Sequence, residues 1–506
     1  MTQNLSTSET TDAAGDQSSP TFASLDPRSG DVIAEYPVDG PAAVEEAVDR
    51  ARIAARWWEA QGFRGRREWL LEFKKAIASD AASLANVVSR ETGKPYGDAF
   101  LEVMLAVEHL NWAAHNAKKV LKPRKVPSGL ASFNQAATLE YKPLGVVGAI
   151  GPWNYPVYTP MGSIAYALAA GNAVVFKPSE LTPGVGKWLE GKWNSIAPSQ
   201  PVFQVITGLG ETGSALVRAG VDKVAFTGSG PTARKVMAAC AETLTPLVAE
   251  CGGKDAMIVA ADADIDKAVE FAAFGAFGNA GQTCAGVERI YVVEPVYKQF
   301  LDKLAATVTR ARPGGDKDST YGPMTLPRQI DIVRSHVEDA LANGGRAVLG
   351  GLESVHDRIV EPVILTDVPE TSSAVCEETF GPTVVVNKVR DLDEAVEHAN
   401  GTNYGLGASI FIGDKAKGRE LAERLRNGMV SVNSVLGFAG IPSLPFGGIG
   451  ESGFGRIHGA DGLREFSRSK SVTVEKFSSP LKLMSLERPA RDLKISALML
   501  ELMHGR

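Results

Sequence analysis

From residue 138 onward the chain alternates short β-rich runs with stretches of helical periodicity, and that alternation constrains the fold more than any other feature of the sequence. Runs at 146–150, 173–176, 202–206, 223–226 and 256–259 are separated by helical patterns. Neighbouring parallel strands need a long crossover, usually a helix, so this texture predicts a parallel sheet with helices packed on its faces. A second alternating set follows residue 284, with runs at 289–293, 375–389, 408–411 and 429–432, and predicts a second α/β unit. Ahead of both, apolar residues at helical spacing predict helices near 41–58, 64–79 and 97–119. A chain of 506 residues exceeds what one hydrophobic core usually serves, so two or three domains are expected.

Charge narrows the classes of function. The formal net charge is −6, which leaves no basic excess to displace phosphate counterions, and no nucleic-acid partner is expected. A local basic group at Lys118, Lys119, Lys122, Arg124 and Lys125 reads as a solvated face. No run approaches the ~18 apolar residues of a membrane span. Residues 1–20 are rich in Ser, Thr, Asp and Gln and lack an apolar core, so they read as a disordered tail and not as a signal peptide. The four cysteines, Cys240, Cys251, Cys284 and Cys376, have no CxxC spacing and no histidine at metal-ligand distance. Neither a metal site nor a disulfide framework is indicated, and a reducing cytoplasm fits best.

One of those thiols has unusual company. Cys284 closes the small-residue loop Gly278-Asn279-Ala280-Gly281-Gln282-Thr283, directly before the run at 289–293. Upstream stands Glu250, followed by Cys251-Gly252-Gly253-Lys254, and further upstream Asn154 lies between Pro152 and Pro156. A nucleophile, a base and an amide donor can together carry acyl chemistry. None of the seven histidines falls in a motif, which disfavours a Cys-His site, and Ser452 lacks nucleophile-elbow spacing. Cys251 reads as a packed thiol.

Seven separated motifs add up to a resemblance. They are Pro152-Trp153-Asn154, Lys177-Pro178-Ser179-Glu180, Phe226-Thr227-Gly228-Ser229, Glu250 with Gly252-Gly253-Lys254, Gly281-Gln282-Thr283-Cys284, Glu377-Glu378-Thr379-Phe380-Gly381-Pro382 and Pro445-Phe446-Gly447-Gly448. In this order, over residues 22–479, the chain resembles the NAD(P)-dependent aldehyde dehydrogenase superfamily. The resemblance implies a Rossmann-like cofactor domain over 21–123 and 143–252, and an α/β catalytic domain over 253–469. It also implies a small β bridging and oligomerisation unit from 124–142 and 470–479, with assembly as a homodimer or homotetramer.

For the chemistry, the same resemblance implies that the Cys284 thiolate adds to an aldehyde and that Asn154 and the Cys284 N–H hold the oxyanion. Hydride then passes to the cofactor, and Glu250 activates the water that releases the acid. The glutamate base speaks against a CoA-acylating relative, and retention of thiol, base and amide speaks against a non-catalytic binding protein.

The cofactor side is less direct. Gly208-Leu209-Gly210-Glu211-Thr212-Gly213 matches GxGxxG but comes after at least two expected strands, later than a Rossmann fingerprint belongs. The resemblance instead sets Phe226, Gly228 and Ser229 at the pyrophosphate, Gly210 towards the adenosine, and Glu378 and Phe380 at the nicotinamide ribose and ring. Ile150, Pro152 and Trp153 complete the expected cofactor contacts. Ala233 departs from the usual glycine four residues after the serine, and its methyl group is expected to disturb the pyrophosphate slightly. Lys177 and Glu180 can bracket a ribose; the carboxylate would repel a 2′-phosphate, which favours NAD and leaves NADP open.

The stretch Val157-Tyr158-Thr159-Pro160-Met161-Gly162, with Leu436, Phe438, Ile441 and Leu444, suggests an open, apolar substrate entrance for an aliphatic or aromatic aldehyde. No arginine in it is placed to clamp a carboxylate. Past residue 480, Ile495, Leu498, Met499, Leu502 and Met503 fall on one helical face. That extension is expected to pack on its own subunit or on a symmetry mate near a dimer interface; a lid and a peripheral membrane contact are the alternatives.

Overall fold

The computed structural model describes residues 20–129, 132–316 and 318–505, so the expected tail at 1–20 lies almost wholly outside the described residues. Two sheets dominate the fold. The first has six strands in the order Gly453–Phe454, Leu247–Glu250, Lys223–Thr227, Val146–Ile150, Ala173–Lys177 and Phe203–Val205. All neighbours are parallel except the edge strand Gly453–Phe454, which runs antiparallel to Leu247–Glu250. Its earliest strand in the chain, Val146–Ile150, sits centrally; the next two strands build outward on one side, and the two after them on the other. The strand order therefore reverses between Val146–Ile150 and Lys223–Thr227, which opens a crevice beyond the carboxyl ends Ile150, Lys177, Thr227 and Glu250.

Near-continuous apolar runs explain why these strands are buried on both faces. Ala173–Lys177 is buried at every position, as is Phe203–Val205. Helices Tyr158–Ala170, Pro183–Ile196, Gly210–Arg218 and Gly230–Thr243 are the crossovers, and Pro41–Ala60, Gly62–Ala78, Ala81–Thr92 and Tyr96–Leu121 form the helical lead-in. Trp58, Phe73, Trp193 and Phe203 join these layers, with the Phe73 and Trp193 rings edge-on at 5.3 Å.

The second sheet has seven strands, in the order Arg346–Leu349, Val363–Thr366, Thr383–Val389, Val287–Val293, Asp255–Val259, Gly407–Phe411 and Met429–Val432. Only the edge strand Arg346–Leu349 is antiparallel to its neighbour. A third sheet of three antiparallel strands joins Ser467–Glu475, Gln135–Pro143 and Arg124–Val126. The fold is thus α/β, with a Rossmann-like sheet, a second α/β sheet and a small β unit.

Three features differ from the sequence expectation or were absent from it. The run at 375–389 is not one strand: a short helix Ser373–Cys376 and a turn precede the strand Thr383–Val389. Phe380 in that turn has φ +51, a conformation no strand accommodates, and Pro382 follows. A hairpin, Thr21–Leu25 with Val32–Pro37, precedes the lead-in helices. The C-terminal extension does form a helix, Ala490–His504, and little of it is covered by the described residues: Asp492 is its one buried residue, Ile495 and Ser496 are half-buried, and Leu498 and Leu502 are 58% and 67% exposed. The largely exposed segment 476–489 leads into the helix, and a hydrogen bond from Lys482 N to Asp492 Oδ2 (2.9 Å) ties its first turn to that segment. Truncation after Lys476 is accordingly expected to leave the melting temperature of the isolated subunit within a few degrees of the full chain; a change in sedimentation would locate the helix at a contact between copies.

Candidate active site

Cys284 is set by a loop held in an uncommon backbone shape. Asn279 and Ala280 have φ +54 and +56 in the left-handed region, which β-carbon-bearing residues enter at a cost of order 1 kcal/mol each. Hydrogen bonds offset it. Asn279 Nδ2 donates to Gln282 O (3.1 Å) and to Asn154 O (3.2 Å), while Gln282 Nε2 returns to Asn279 O (3.0 Å) and Gln282 Oε1 accepts from Thr325 N (2.9 Å). The loop is thereby pinned to the turn that carries Asn154.

That turn is itself clamped from below. Lys94 Nζ donates to Asn154 O at 2.6 Å and to Glu102 Oε2 at 2.9 Å, in an ion pair with no side-chain exposure. Glu102 Oε1 in turn accepts from Val157 N (2.7 Å) and Tyr158 N (3.1 Å). Loss of either partner would strand a buried charge, a defect worth about 3–5 kcal/mol. Neither Lys94 nor Glu102 stood out in the sequence; the only trace was Glu91-Thr92-Gly93-Lys94-Pro95, a turn motif whose lysine could have been solvated. Asn154 Nδ2 donates to Gln282 O at 2.9 Å, which uses one of its two N–H groups and leaves the other for an incoming oxygen. Cys284 N makes no backbone hydrogen bond among the described residues, so a second donor is free beside the thiol.

Glu250 ends its strand at the carboxyl edge of the first sheet and is 3% exposed. Neither of its carboxylate oxygens has a hydrogen-bond partner. Burial pushes its pKa up to about 8, against a smaller lowering from the nearby Cys284 thiol and Thr227 hydroxyl. The Cys284 thiol is pushed well above its ordinary value, chiefly by burial and then by the negative fields of Glu250, Glu378 and Asp255. The two glycines after Glu250 let these groups converge: a β-carbon at Gly252 would collide with the Glu378 carboxylate, and one at Gly253 would lie 2.6 Å from Cys284 O.

Glu378 accepts a hydrogen bond from Gly253 N (3.1 Å), and burial raises its pKa well above the usual carboxylate range. The turn that presents Glu378 and Phe380 is held by Glu288, which accepts from Thr379 N (2.8 Å) and Phe380 N (2.9 Å) and pairs with Lys254 Nζ at 2.5 Å. Phe380 meets Trp153 edge-on, with ring centroids 5.5 Å apart.

Along the crevice, Lys177 Nζ is buried and donates to Pro178 O at 3.0 Å, with Glu180 Oε2 at 3.9 Å. This is no surface ion pair, since the lysine side chain is 5% exposed and the glutamate 47%. Ser229 is the N-cap of the helix Gly230–Thr243; its Oγ lies 3.0 Å from Thr232 Oγ1 and does not cap the backbone N–H groups of the first turn, which stay available to an anion. At Gly210 a β-carbon would meet nothing within 4 Å. Ala233 is buried and belongs to the hydrophobic core cluster. Ile150, Pro152, Phe226 and Gly228 lie at or just beyond the ends of the strands Val146–Ile150 and Lys223–Thr227, along the same edge. A buried, under-satisfied ammonium, an open glycine and a free helix N-terminus in one crevice suit a dinucleotide.

On the other side of Cys284 lies a cavity of about 240 Å³. Leu101, Leu105, Phe274, Leu436 and Phe446 supply apolar wall, with Tyr155 and Tyr158 beside them. Asp98 and Glu102 also line it, and no lysine or arginine does. Phe438, expected at the entrance, is buried instead, while Ile441 and Leu444 are exposed. Two histidines the motifs passed over meet at this wall: His458 lines the cavity and His109 stacks on it, with ring centroids 3.9 Å apart, both driven towards the neutral form by burial. Cys240 and Cys251 are buried and Cys376 Sγ donates to Glu370 O at 2.9 Å, so these thiols are structural. Ser452 Oγ accepts from Gly405 N at 3.1 Å, a loop tie.

Fold and motifs together define an oxidoreductase that acts on aldehydes, and the sequence profile of the aldehyde dehydrogenase family matches residues 14–472: the chain belongs to that family. Among its relatives is a 4,4'-diapolycopene aldehyde oxidase of Methylomonas sp, 38% identical over 449 residues that make up 88% of this chain and 84% of that protein. A putative succinate-semialdehyde dehydrogenase (NADP(+)) 2 of Mycobacterium tuberculosis is 34% identical over 451 residues, 88% of this chain and 87% of that one. The crystal structure of lactaldehyde dehydrogenase from Escherichia coli superposes with a TM-score of 0.86 at 29% identity, covering 91% of this chain and 96% of that one. No helix among the described residues is long and apolar enough to cross a membrane.

Proposed function

We propose that this enzyme oxidises an apolar aldehyde to its carboxylic acid with NAD, through a thioester on Cys284. The observation that carries the reading is the convergence on one loop of the Cys284 thiol, the spare Asn154 N–H and a buried Glu250 without hydrogen-bond partners. A thiol with a raised pKa is protonated at neutral pH, so attack on a carbonyl needs a base, and the neighbouring Glu250, whose ionised form grows as pH rises towards 8, is the group placed to supply it. Asn154 Nδ2 and Cys284 N then meet the oxyanion formed on the aldehyde oxygen. The nicotinamide cofactor, when bound, accepts the hydride. Glu250 passes the thiol proton to solvent and, ionised again, takes a proton from water; the water oxygen adds to the acyl carbon and the C–S bond breaks, which releases the acid and regenerates the Cys284 thiolate. Asn154→Ala is expected to lower turnover by about 100-fold through loss of one oxyanion donor, with cofactor affinity retained; stopped-flow kinetics with calorimetric titration checks both.

Cofactor and substrate preference follow from charge. Glu180 is the exposed carboxylate at the ribose end, suited to a pair of hydroxyls and repulsive to a 2′-phosphate. The NADP(+) in the name of the mycobacterial relative makes the second cofactor the natural comparison. Glu180→Gln should raise KM for NAD several-fold and narrow the NAD:NADP ratio of kcat/KM by about tenfold. On the substrate side, Asp98 and the absence of any cation in the cavity lining disfavour carboxylate-bearing aldehydes such as the succinate semialdehyde of that relative's name. A panel of aliphatic, aromatic and carboxylate-bearing aldehydes assayed with both cofactors tests the reading.

A further inference from the structure

The cavity beside Cys284 is small, about 240 Å³, against roughly 300–1,000 Å³ for pockets that enclose a drug-sized ligand. On the helix Tyr96–Leu121, Leu101 and Leu105, four residues apart, line the cavity. Phe100 and Met104, each one residue earlier, form the neighbouring stripe and are 41% and 50% exposed. Tyr96 prolongs this outer stripe, its ring 6.1 Å from that of Phe100. Across the opening, Phe274 lines the cavity and is half exposed, and the cavity-lining Gly440 is followed by exposed Ile441. Single exposed apolar residues are ordinary, but Phe100 and Met104 each adjoin a cavity-lining leucine on the same helix, and Phe274 is at once cavity-lining and half exposed.

We infer that this collar is an outer substrate subsite that carries the hydrocarbon tail of an aldehyde too long for the cavity. The carbonyl sits at Cys284, and the chain leaves between Leu101 and Phe274 to lie along Phe100 and Met104. The occupant is an uncharged chain because the wall offers no cation: Asp98 and Glu102 are the charged lining residues, and Glu102 is already paired with Lys94. The inference rests on the aldehyde reading of Cys284.

The test is a series of linear aldehydes from pentanal to dodecanal, held below their aggregation concentrations, with the purified full-length enzyme. Wild type is expected to gain roughly twofold in kcat/KM for each methylene beyond the cavity, about half the gain of a fully buried one. Phe100→Ser with Met104→Ser should lower the dodecanal-to-pentanal ratio by about tenfold. Met104→Gln, which keeps volume and helix propensity, should lower it by about threefold. Ile53→Ser, at an exposed site on another helix, serves as control and should leave the ratio where it was. A ratio that does not rise with chain length in the wild type overturns the inference while leaving the aldehyde reading in place. Failure to turn over any aldehyde of the series overturns that reading itself. Should the double variant change sedimentation and keep the ratio, the collar is a contact between copies and the inference falls.

Discussion

Cys284→Ser is expected to reduce aldehyde oxidation by roughly a thousandfold or more, the scale of losing a covalent nucleophile, while calorimetric titration still detects cofactor binding. A serine hydroxyl is far less acidic than a thiol, and Glu250, with a pKa of about 8, cannot strip its proton at any useful rate. The groups proposed to hold the cofactor, Lys177, Glu180, Ser229 and Glu378, stand on other segments of the chain than Cys284. Residual turnover above a few per cent would remove Cys284 from the chemistry.

Glu250→Gln is expected to cut steady-state turnover by ~10²–10⁴-fold, the usual worth of a general base. A single-turnover burst of reduced cofactor should persist, but more slowly at neutral pH, because the Cys284 proton has lost its acceptor. Raising the pH should speed that burst as hydroxide takes over, without restoring steady turnover. In the wild type the base form of Glu250 grows as pH rises, since burial raises its pKa, so kcat should climb with pH and level off above about 8. A flat wild-type profile from pH 6 to 9 would contradict the assignment.

Much of the fold was legible in the chain, and the reasons are local. Buried parallel strands such as Ala173–Lys177 read as short apolar runs, and the long helix Tyr96–Leu121 kept its periodicity throughout. What failed depended on conformations or partners that a linear pattern does not encode. The run at 375–389 has strand-like composition, yet the left-handed Phe380 and the Glu288 hydrogen bonds make its first half a turn. The C-terminal stripe has ordinary core spacing, but nothing in a helical period says whether a surface faces it.

At the site, Cys284, Glu250 and Asn154 were visible because glycines and prolines frame them. Their supports were not. Lys94 lies 60 residues from the Asn154 carbonyl it holds, and Glu288 lies 91 from the Thr379 N–H it accepts. A charged residue in a turn or on a strand reads as surface until its partner is seen. The pair His109 and His458, 349 residues apart in sequence by their numbers, was likewise invisible before the fold stacked them.

The central claim is that the acyl group passes through Cys284. Intact-protein and peptide mass spectrometry of Glu250→Gln, quenched after one turnover with aldehyde and cofactor, tests it most directly. The expected result is a mass gain of one acyl group in place of one hydrogen, confined to the peptide that carries Cys284, in a yield equal to the reduced cofactor formed. Reduced cofactor with an unmodified Cys284, or an acyl group on Cys251, would contradict it.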